Sequence, residues 1–296
     1  MLCKNPFIRD PTGNVFKASL VSGNRDIAVA GIPFPCGQCL PCRINKRRLW
    51  THRLMLESYL HAENIFITLT YADEYLPENA TLVKGDLQRF FKRLRHYCRP
   101  AKIRYYACGE YGSKTRRPHY HAIIFGLGLS DGCLVAQAWP FGRVHVGDCN
   151  VYTAQYVAGY VTKKFVKKDD ARAQEYSTMS RKPGLAYGAV EQLVALMQES
   201  RYAYLFEGNK KIPDGLRHGN RFLPFDRFLK DKICRLLEYD ADATEYIHEM
   251  HLKYIQALHS GKYSGNYLVN ALTEESEGRN IQIERRFKIF NTRDKI

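Results

Sequence analysis

Apolar and polar positions change period repeatedly through the first two thirds of the chain, and each change marks an element. Phe66-Ile67-Thr68-Leu69-Thr70-Tyr71 alternates and is rich in β-branched residues, which predicts a strand over 64–71. The next stretch repeats its apolar residues at helical spacing, with Leu87, Phe90, Phe91 and Leu94 on one stripe, and predicts a helix over 86–97 opening at Asp86. Strands follow at 103–110 and 119–126, joined through the turn-rich run Gly112-Ser113-Lys114-Thr115-Arg116-Arg117-Pro118 as a hairpin loop. A short apolar helix around Leu134 to Trp139, a strand from Arg143 to Val146 and a helix from Asn150 to Lys164 complete the middle of the chain. Asn150 has the side chain of an N-cap, and the terminal lysines suit a helix C-terminus. Upstream lie an N-terminal hairpin and a basic helix at 42–62; downstream, Glu191–Glu199 and Ala241–His259 have helical patterns. Strands and helices in this order predict an α+β domain: a central antiparallel sheet with flanking helices.

Side chains two apart on a strand share a face, so His119 and His121 converge. Two neutral imidazoles on one rigid face form half of a site for a divalent metal. The preceding strand brings Glu110 beside them as a third ligand. An isolated His-x-His on a strand is ordinarily a pair of half-buried polar residues; the downstream tyrosine helix weighs against that reading. There Tyr152, Tyr156 and Tyr160 recur every four residues and share one helix face, with Cβ atoms roughly 5–6 Å apart. An aromatic stripe at this spacing is ordinarily core. Tyr152 is read that way, whereas Tyr156 and Tyr160 are read by their context as chemistry.

Arg117-Pro118-His119-Tyr120-His121 followed by Tyr156-Val157-Ala158-Gly159-Tyr160-Val161-Thr162-Lys163-Lys164 resembles the HUH endonuclease superfamily. With Pro35-Cys36-Gly37-Gln38-Cys39-Leu40-Pro41-Cys42-Arg43, the strand at 66–71 and Met179-Ser180-Arg181-Lys182-Pro183-Gly184, the chain resembles replication initiators of small single-stranded DNA phages of the microvirus group, gokushovirus-like. The match thins after about residue 225. The resemblance implies the HUH fold, with His119, His121 and Glu110 holding a divalent cation, Mg2+ or Mn2+. It implies Tyr156 and Tyr160 as nucleophiles and Lys163 as an assisting cation. Its reaction is a nick at an origin by tyrosine transesterification, leaving a 5′-phosphotyrosine and a free 3′ hydroxyl primer, and rejoining of ends after rolling-circle synthesis.

Composition agrees with that partner. The 296 residues carry a formal charge of +15 and a pI near 9.4, a balance that favours a polyanion through counterion release. Arg43, Lys46, Arg47 and Arg48 cluster on the basic helix, and Arg116, Arg117 and Lys164 flank the histidine strand and the tyrosine helix; all seven are candidate DNA contacts. The implied partners are single-stranded DNA and phage origin DNA. No P-loop motif appears, so a host helicase or supercoiling must separate strands and a host polymerase must extend the primer. No long apolar run or secretory core is present, and the expectation is a protein of the bacterial host cytoplasm with no membrane partner.

The nine cysteines are odd in number and scattered, which argues for reduced thiols or metal binding over disulfides. Cys36, Cys39 and Cys42 stand at repeated Cys-x-x-Cys spacing, and a structural zinc ion needs a fourth ligand. Cys3 is the choice, across a hairpin in Val15–Ala30 that turns at Ser22-Gly23-Asn24; Cys108 and His52 compete, and free buried thiols or an iron–sulfur cluster are the other readings. His248 and His251 are spaced too closely for a His-Glu-x-x-His zinc site and read as solvated. The expected organisation is 1–62 as hairpin, zinc knot and basic helix, 63–168 as nuclease core, and 169–296 as a mainly helical extension. Two other functions stay open at this point. One is a plasmid relaxase or transposase with the same chemistry; the other is a non-enzymatic, zinc-stabilised nucleic-acid-binding protein.

Overall fold

The computed structural model describes residues 3, 5–9, 12–17, 32–159, 170–199, 212–238 and 281. The chain divides into two compact units, Met1–Lys46 with Asp240–Ile296, and Arg47–Tyr239. In the first unit three short strands, β1 (Phe7–Arg9), β2 (Val15–Lys17) and β3 (Ile32–Phe34), form an antiparallel sheet in the order β2-β1-β3. This departs from the expected hairpin within 15–30: β2 pairs back onto β1, and the Ser22-Gly23-Asn24 turn lies outside the described residues. Phe7 stacks on Phe34 across the β1–β3 pair, at 5.7 Å between ring centroids. Helix α1 (Leu40–Ser58) begins in this unit and continues into the second, with Pro41 in the first turn, where its missing N–H costs no helical bond.

The second unit is built on a five-stranded sheet. Its strands are β4 (Asn64–Thr70), β5 (Arg104–Tyr111), β6 (Pro118–Phe125), β7 (Val144–Asp148) and β8 (Tyr176–Met179), in the order β7-β4-β6-β5-β8. Every pairing in it is antiparallel, as the α+β expectation requires. The β5–β6 hairpin closes through Gly112 and Arg117, whose N–H and carbonyl meet at 3.0 Å. The sheet continues beyond residue 168, where the sequence reading ends the nuclease core. Strand β8 lies in the stretch expected to be a mainly helical extension, yet it pairs Ser177 with Cys108 on β5.

Period-two alternation sends the strands' side chains to two cores. Ile65, Ile67 and Leu69 of β4, with Tyr120, Ala122 and Ile124 of β6, face helix α2 (Lys84–Tyr97) through its Leu87, Phe90, Phe91 and Leu94. Helix α3 (Gly132–Ala138) and the buried Trp139 extend this side. Each such side chain, fully withdrawn from water, contributes roughly 1.5–3 kcal/mol. On the opposite face Tyr106, Cys108, Ile123 and Phe125 pack against Leu54 of α1 and against Ala154, Val157 and Ala158 of α4 (Val151–Gly159). A third cluster joins α5 (Tyr187–Gln198) to α6 (Arg227–Leu236) through Val190, Val194, Leu229 and Ile233. Between them a hairpin, β9 (Gly215–His218) and β10 (Arg221–Pro224), runs into Asp226, whose carboxylate caps α6 by accepting from Leu229 N at 2.9 Å.

Helix α2 starts two residues before the expected Asp86. Asp86 is instead buried in its first turn, where it accepts from the Tyr71 hydroxyl at 2.7 Å and pairs with Arg89. Tyr71 in turn meets Tyr120, whose hydroxyl lies 2.9 Å from both the N–H and the carbonyl of Val83. This buried chain ties the middle residue of the His-Tyr-His run to α2. Gly109, opposite Tyr120, leaves room for its ring: a Cβ there would meet Tyr120 Cδ1 at 3.1 Å and Leu82 Cδ2 at 3.0 Å.

Candidate metal and nucleophile site

Register places the site. Glu110 of β5 and Thr70 of β4 stand directly across from His119 of β6, and Cys108 and Thr68 stand across from His121. Tyr120 is locked into the α2 core, so both histidines project to the opposite face, the one carrying α4. Glu110 Oε1 lies 2.7 Å from His119 Nε2 and 3.1 Å from His121 Nε2. All three are largely withdrawn from water, with Glu110 at 5% and His121 at 4% exposure. Burial works to raise the Glu110 carboxyl, but the two imidazoles outweigh it and bring it down to about 2, so the group is a carboxylate at neutral pH.

The far side of each ring is held as well. His119 Nδ1 is 3.2 Å from the carbonyl of Arg117, which can only accept, so Nδ1 carries the proton in that bond. His121 Nδ1 is 2.9 Å from Thr68 Oγ1. With Nδ1–H engaged behind it, a neutral His119 turns the lone pair of Nε2 toward a carboxylate oxygen that is itself an acceptor. Such a convergence calls for a cation, either a proton on the ring or a metal ion between the three atoms. The ligand atoms of Glu110, His119 and His121 lie within 4.8 Å of one another, and the mixed nitrogen and oxygen set suits Mn2+ or another divalent ion. The residues present therefore fit the metal.

Helix α4 brings a phenol to this cluster. Asn150 caps it as the sequence indicates, its Oδ1 accepting from the N–H of Tyr152 at 2.9 Å and of Thr153 at 3.1 Å. Ala154, Val157 and Ala158 turn to the sheet, which leaves the tyrosine stripe outward. Tyr152 is 68% exposed, correcting its reading as core: the small residues of the helix take the packing face, and its ring faces the Arg221 guanidinium instead. Tyr156 is 44% exposed, yet its hydroxyl reaches 3.5 Å from His121 Nε2. Its ring stands edge-on to that of His121 at 5.1 Å, and Phe66 stacks against His121 at 5.7 Å. Tyr160, Lys163 and Lys164 lie outside the described residues.

The cations chosen for DNA are already engaged in part. Arg117 donates to Asp73 at 2.6 Å and to the Tyr71 carbonyl at 3.0 Å; Arg116 pairs with Asp170 at 3.5 Å. Arg48 donates to the Phe222 carbonyl at 3.2 Å. The stem of Arg47 lies beside the end of the tyrosine helix, where a Cβ on Gly159 would touch it at 3.5 Å. Arg43 and Lys46 belong to the other unit. Thr68 is the site residue that sequence reasoning missed as a support for His121; the cue was the alternation that puts Phe66, Thr68 and Thr70 on the histidine face.

A second cluster gathers the N-terminal cysteines. The sulfurs of Cys3, Cys36, Cys39 and Cys42 lie within 4.8 Å of one another, and all four are free thiols. Burial works to raise Cys36, but N–H groups of Cys39 and Gln38 directed at its sulfur, together with the neighbouring thiols, lower it to about 7. Cys3 is thus the fourth member, not Cys108 or His52. Cys108 is buried in the sheet with its thiol on the His121 carbonyl at 3.7 Å, and His52 has its Nδ1 on the Pro224 carbonyl at 2.9 Å.

Residues 64–165 match the family model described as replication-associated protein ORF2. Over 166 residues the chain is 34% identical to the replication-associated protein VP4 of Bdellovibrio phage phiMH2K, covering 48% of this chain and 52% of that one. It is 34% identical to the replication-associated protein ORF2 of Spiroplasma virus 4 over 179 residues, 52% of this chain and 56% of that one. It is 29% identical to the replication-associated protein ORF4 of Chlamydia phage 1 over 250 residues, 76% of this chain and 60% of that one. The matched stretches thus span little more than half the length of these curated relatives. No solved structure matches. The segment 64–165, with Glu110, both histidines and Tyr156 inside it, belongs to the family of phage replication-associated proteins described by ORF2.

Proposed function

We propose that the protein is a rolling-circle replication initiator that nicks a phage origin with a tyrosine and later rejoins the ends. One observation carries the reading: the Tyr156 hydroxyl stands 3.5 Å from His121 Nε2, beside three converging metal-ligand atoms on one sheet face. Glu110, His119 and His121 would hold a divalent ion, which supplies Lewis-acid stabilisation of charge on the scissile phosphate. The relatives are named replication-associated proteins of phages, which favours this role over that of a relaxase or transposase.

The residues of the chain divide the remaining work. Thr68 and the Arg117 carbonyl fix the imidazole rings from behind, so the cluster is oriented before substrate arrives. Phe66 and the sheet support the Tyr156 ring, leaving its hydroxyl as the reactive end on an accessible helix face. In the reaction the phenolic oxygen forms a bond to phosphorus and the bond from phosphorus to the 3′ oxygen breaks. The phenol gives up its proton and the departing 3′ oxygen gains one, so the step balances without water or a nucleoside triphosphate. A phenol of pKa about 10 needs neighbouring positive charge to act near neutral pH, a role this reading gives to Lys163 with the bound ion. The phosphotyrosine keeps the energy of the cut bond, and the free 3′ hydroxyl serves a host polymerase in the bacterial cytoplasm. Tyr160, one helical turn on, gives a second nucleophile for the closing cut.

The test is nicking of supercoiled phage-origin DNA with Mn2+ by the native protein and by a Tyr156→Phe, Tyr160→Phe double variant. Native protein should nick; the variant should bind DNA in a mobility shift without nicking. Nicking by the double variant would overturn the tyrosine mechanism.

A further inference from the structure

The phosphodiester chemistry leaves the N-terminal cysteines unused, although they are arranged as a site. Tetrahedral zinc with Zn–S bonds of about 2.3 Å sets its sulfurs about 3.8 Å apart. Cys39 and Cys3 sulfurs are 3.8 Å apart, far beyond a disulfide, and all four sulfurs lie within 4.8 Å of one another. The Cys36 to Cys39 turn has Gly37 at φ +72°, a left-handed conformation open to glycine. It lets the N–H groups of Gln38 and Cys39 both point at Cys36 sulfur, at 3.4 Å, while Cys36 N–H points at Cys3 sulfur at 3.2 Å. Backbone donors aimed at sulfur favour thiolates, the form that binds metal.

The surrounding structure gives such an ion a purpose. Three strands of three residues each cannot hold together by packing alone, and short elements of this kind need a metal or a disulfide. Cys3 precedes β1, Cys36 and Cys39 follow β3, and Cys42 sits in the first turn of α1. One ion would fasten the two ends of the small sheet to the start of the basic helix, closing a loop of 33 residues between Cys3 and Cys36. Four cysteines leave no coordination position open for substrate. We propose that Cys3, Cys36, Cys39 and Cys42 bind one structural zinc ion whose binding folds the N-terminal element.

The test uses the full chain purified without chelator. Elemental analysis should find an equivalent of zinc that persists in Glu110→Ala and disappears in Cys36→Ser, so that it is distinguished from any ion at the histidine cluster. Cobalt exchanged into the native chain should show the absorption of a tetrahedral tetrathiolate, a readout that does not depend on a variant folding. Cys42→His should retain the metal, since imidazole replaces thiolate in such sites. Stripping the zinc should expose residues 1–46 to protease while 47–159 stays protected. Iron with acid-labile sulfide, cysteines paired as disulfides, or four freely alkylated thiols in the native chain without zinc would each overturn the proposal.

Discussion

Replacing Thr68 by valine keeps the volume and β-branching of the side chain while removing the oxygen that holds His121 Nδ1 at 2.9 Å. His121 is 4% exposed, so water cannot take the place of that oxygen without rearrangement. A buried nitrogen left without its partner costs about 1–3 kcal/mol. The cost falls on the orientation of the ring and hence on metal affinity, where loss of such a supporting bond typically weakens binding about 10–100-fold. That range corresponds to about 1.4–2.7 kcal/mol, consistent with the desolvation figure. Mn2+ titration followed by electron paramagnetic resonance or calorimetry should show this weakening. Nicking should fall at low Mn2+ and recover at saturation. Thr70→Val is the control: its Oγ1 donates to the Arg143 carbonyl at 3.2 Å, and its removal should leave Mn2+ affinity unchanged. A Thr68→Val protein that binds Mn2+ within about twofold of the native chain, well short of the expected loss, would refute the claim that Thr68 orients the site.

Three further outcomes follow from the packing. Gly109→Ala should destabilise the fold by about 1–3 kcal/mol in urea denaturation, because its methyl crowds Tyr120 and Leu82 at 3.0–3.2 Å; an unchanged midpoint would contradict the packing described. Glu57, 1% exposed, accepts from Arg104 and from Ala186 N, so Glu57→Ala should cost about 3–5 kcal/mol by stranding a half-buried guanidinium, whereas a loss below about 1 kcal/mol would count against it. His52 is buried, and desolvation lowers its pKa from 6.5 to about 4 despite the Pro224 carbonyl. The unfolded chain therefore binds more protons between these values; stability is complete above pH 6.5 and falls as pH drops toward 4, by a loss on the order of 2 kcal/mol. Denaturation curves across that window should be flatter for His52→Gln, and equal slopes would exclude His52 as their source.

The central sheet is legible because its inner strands are long, alternating and β-branched, and because the loop from Gly112 to Arg117 announces a hairpin. The cap at Asn150 and the shared face of His119 and His121 follow from local rules of the same kind. Other features depend on partners distant in sequence. Strand β8 is short and half-buried, and it is a strand only because the edge of β5 is available to it. Asp86 looks like a helix start, yet the Tyr71 hydroxyl draws it inside the first turn. Tyr152 looks like core until the small residues Ala154 and Ala158 are seen to take the sheet-facing side. The support of His121 by Thr68 requires the β4–β6 register, which one strand alone cannot give. Helix α6 escapes the sequence reading despite a legible signal: Asp226 as N-cap, then Leu229 and Ile233 at helical spacing.

The most direct test of the catalytic account is to incubate the native chain with a single-stranded phage-origin oligonucleotide and Mn2+, digest the product, and locate the DNA-linked peptide by mass spectrometry. The account predicts a metal-dependent adduct on Tyr156 or Tyr160, bearing the 5′ phosphate and releasing a fragment with a free 3′ hydroxyl. Cleavage with no protein–DNA adduct, or linkage to a residue away from the tyrosine helix, would contradict it.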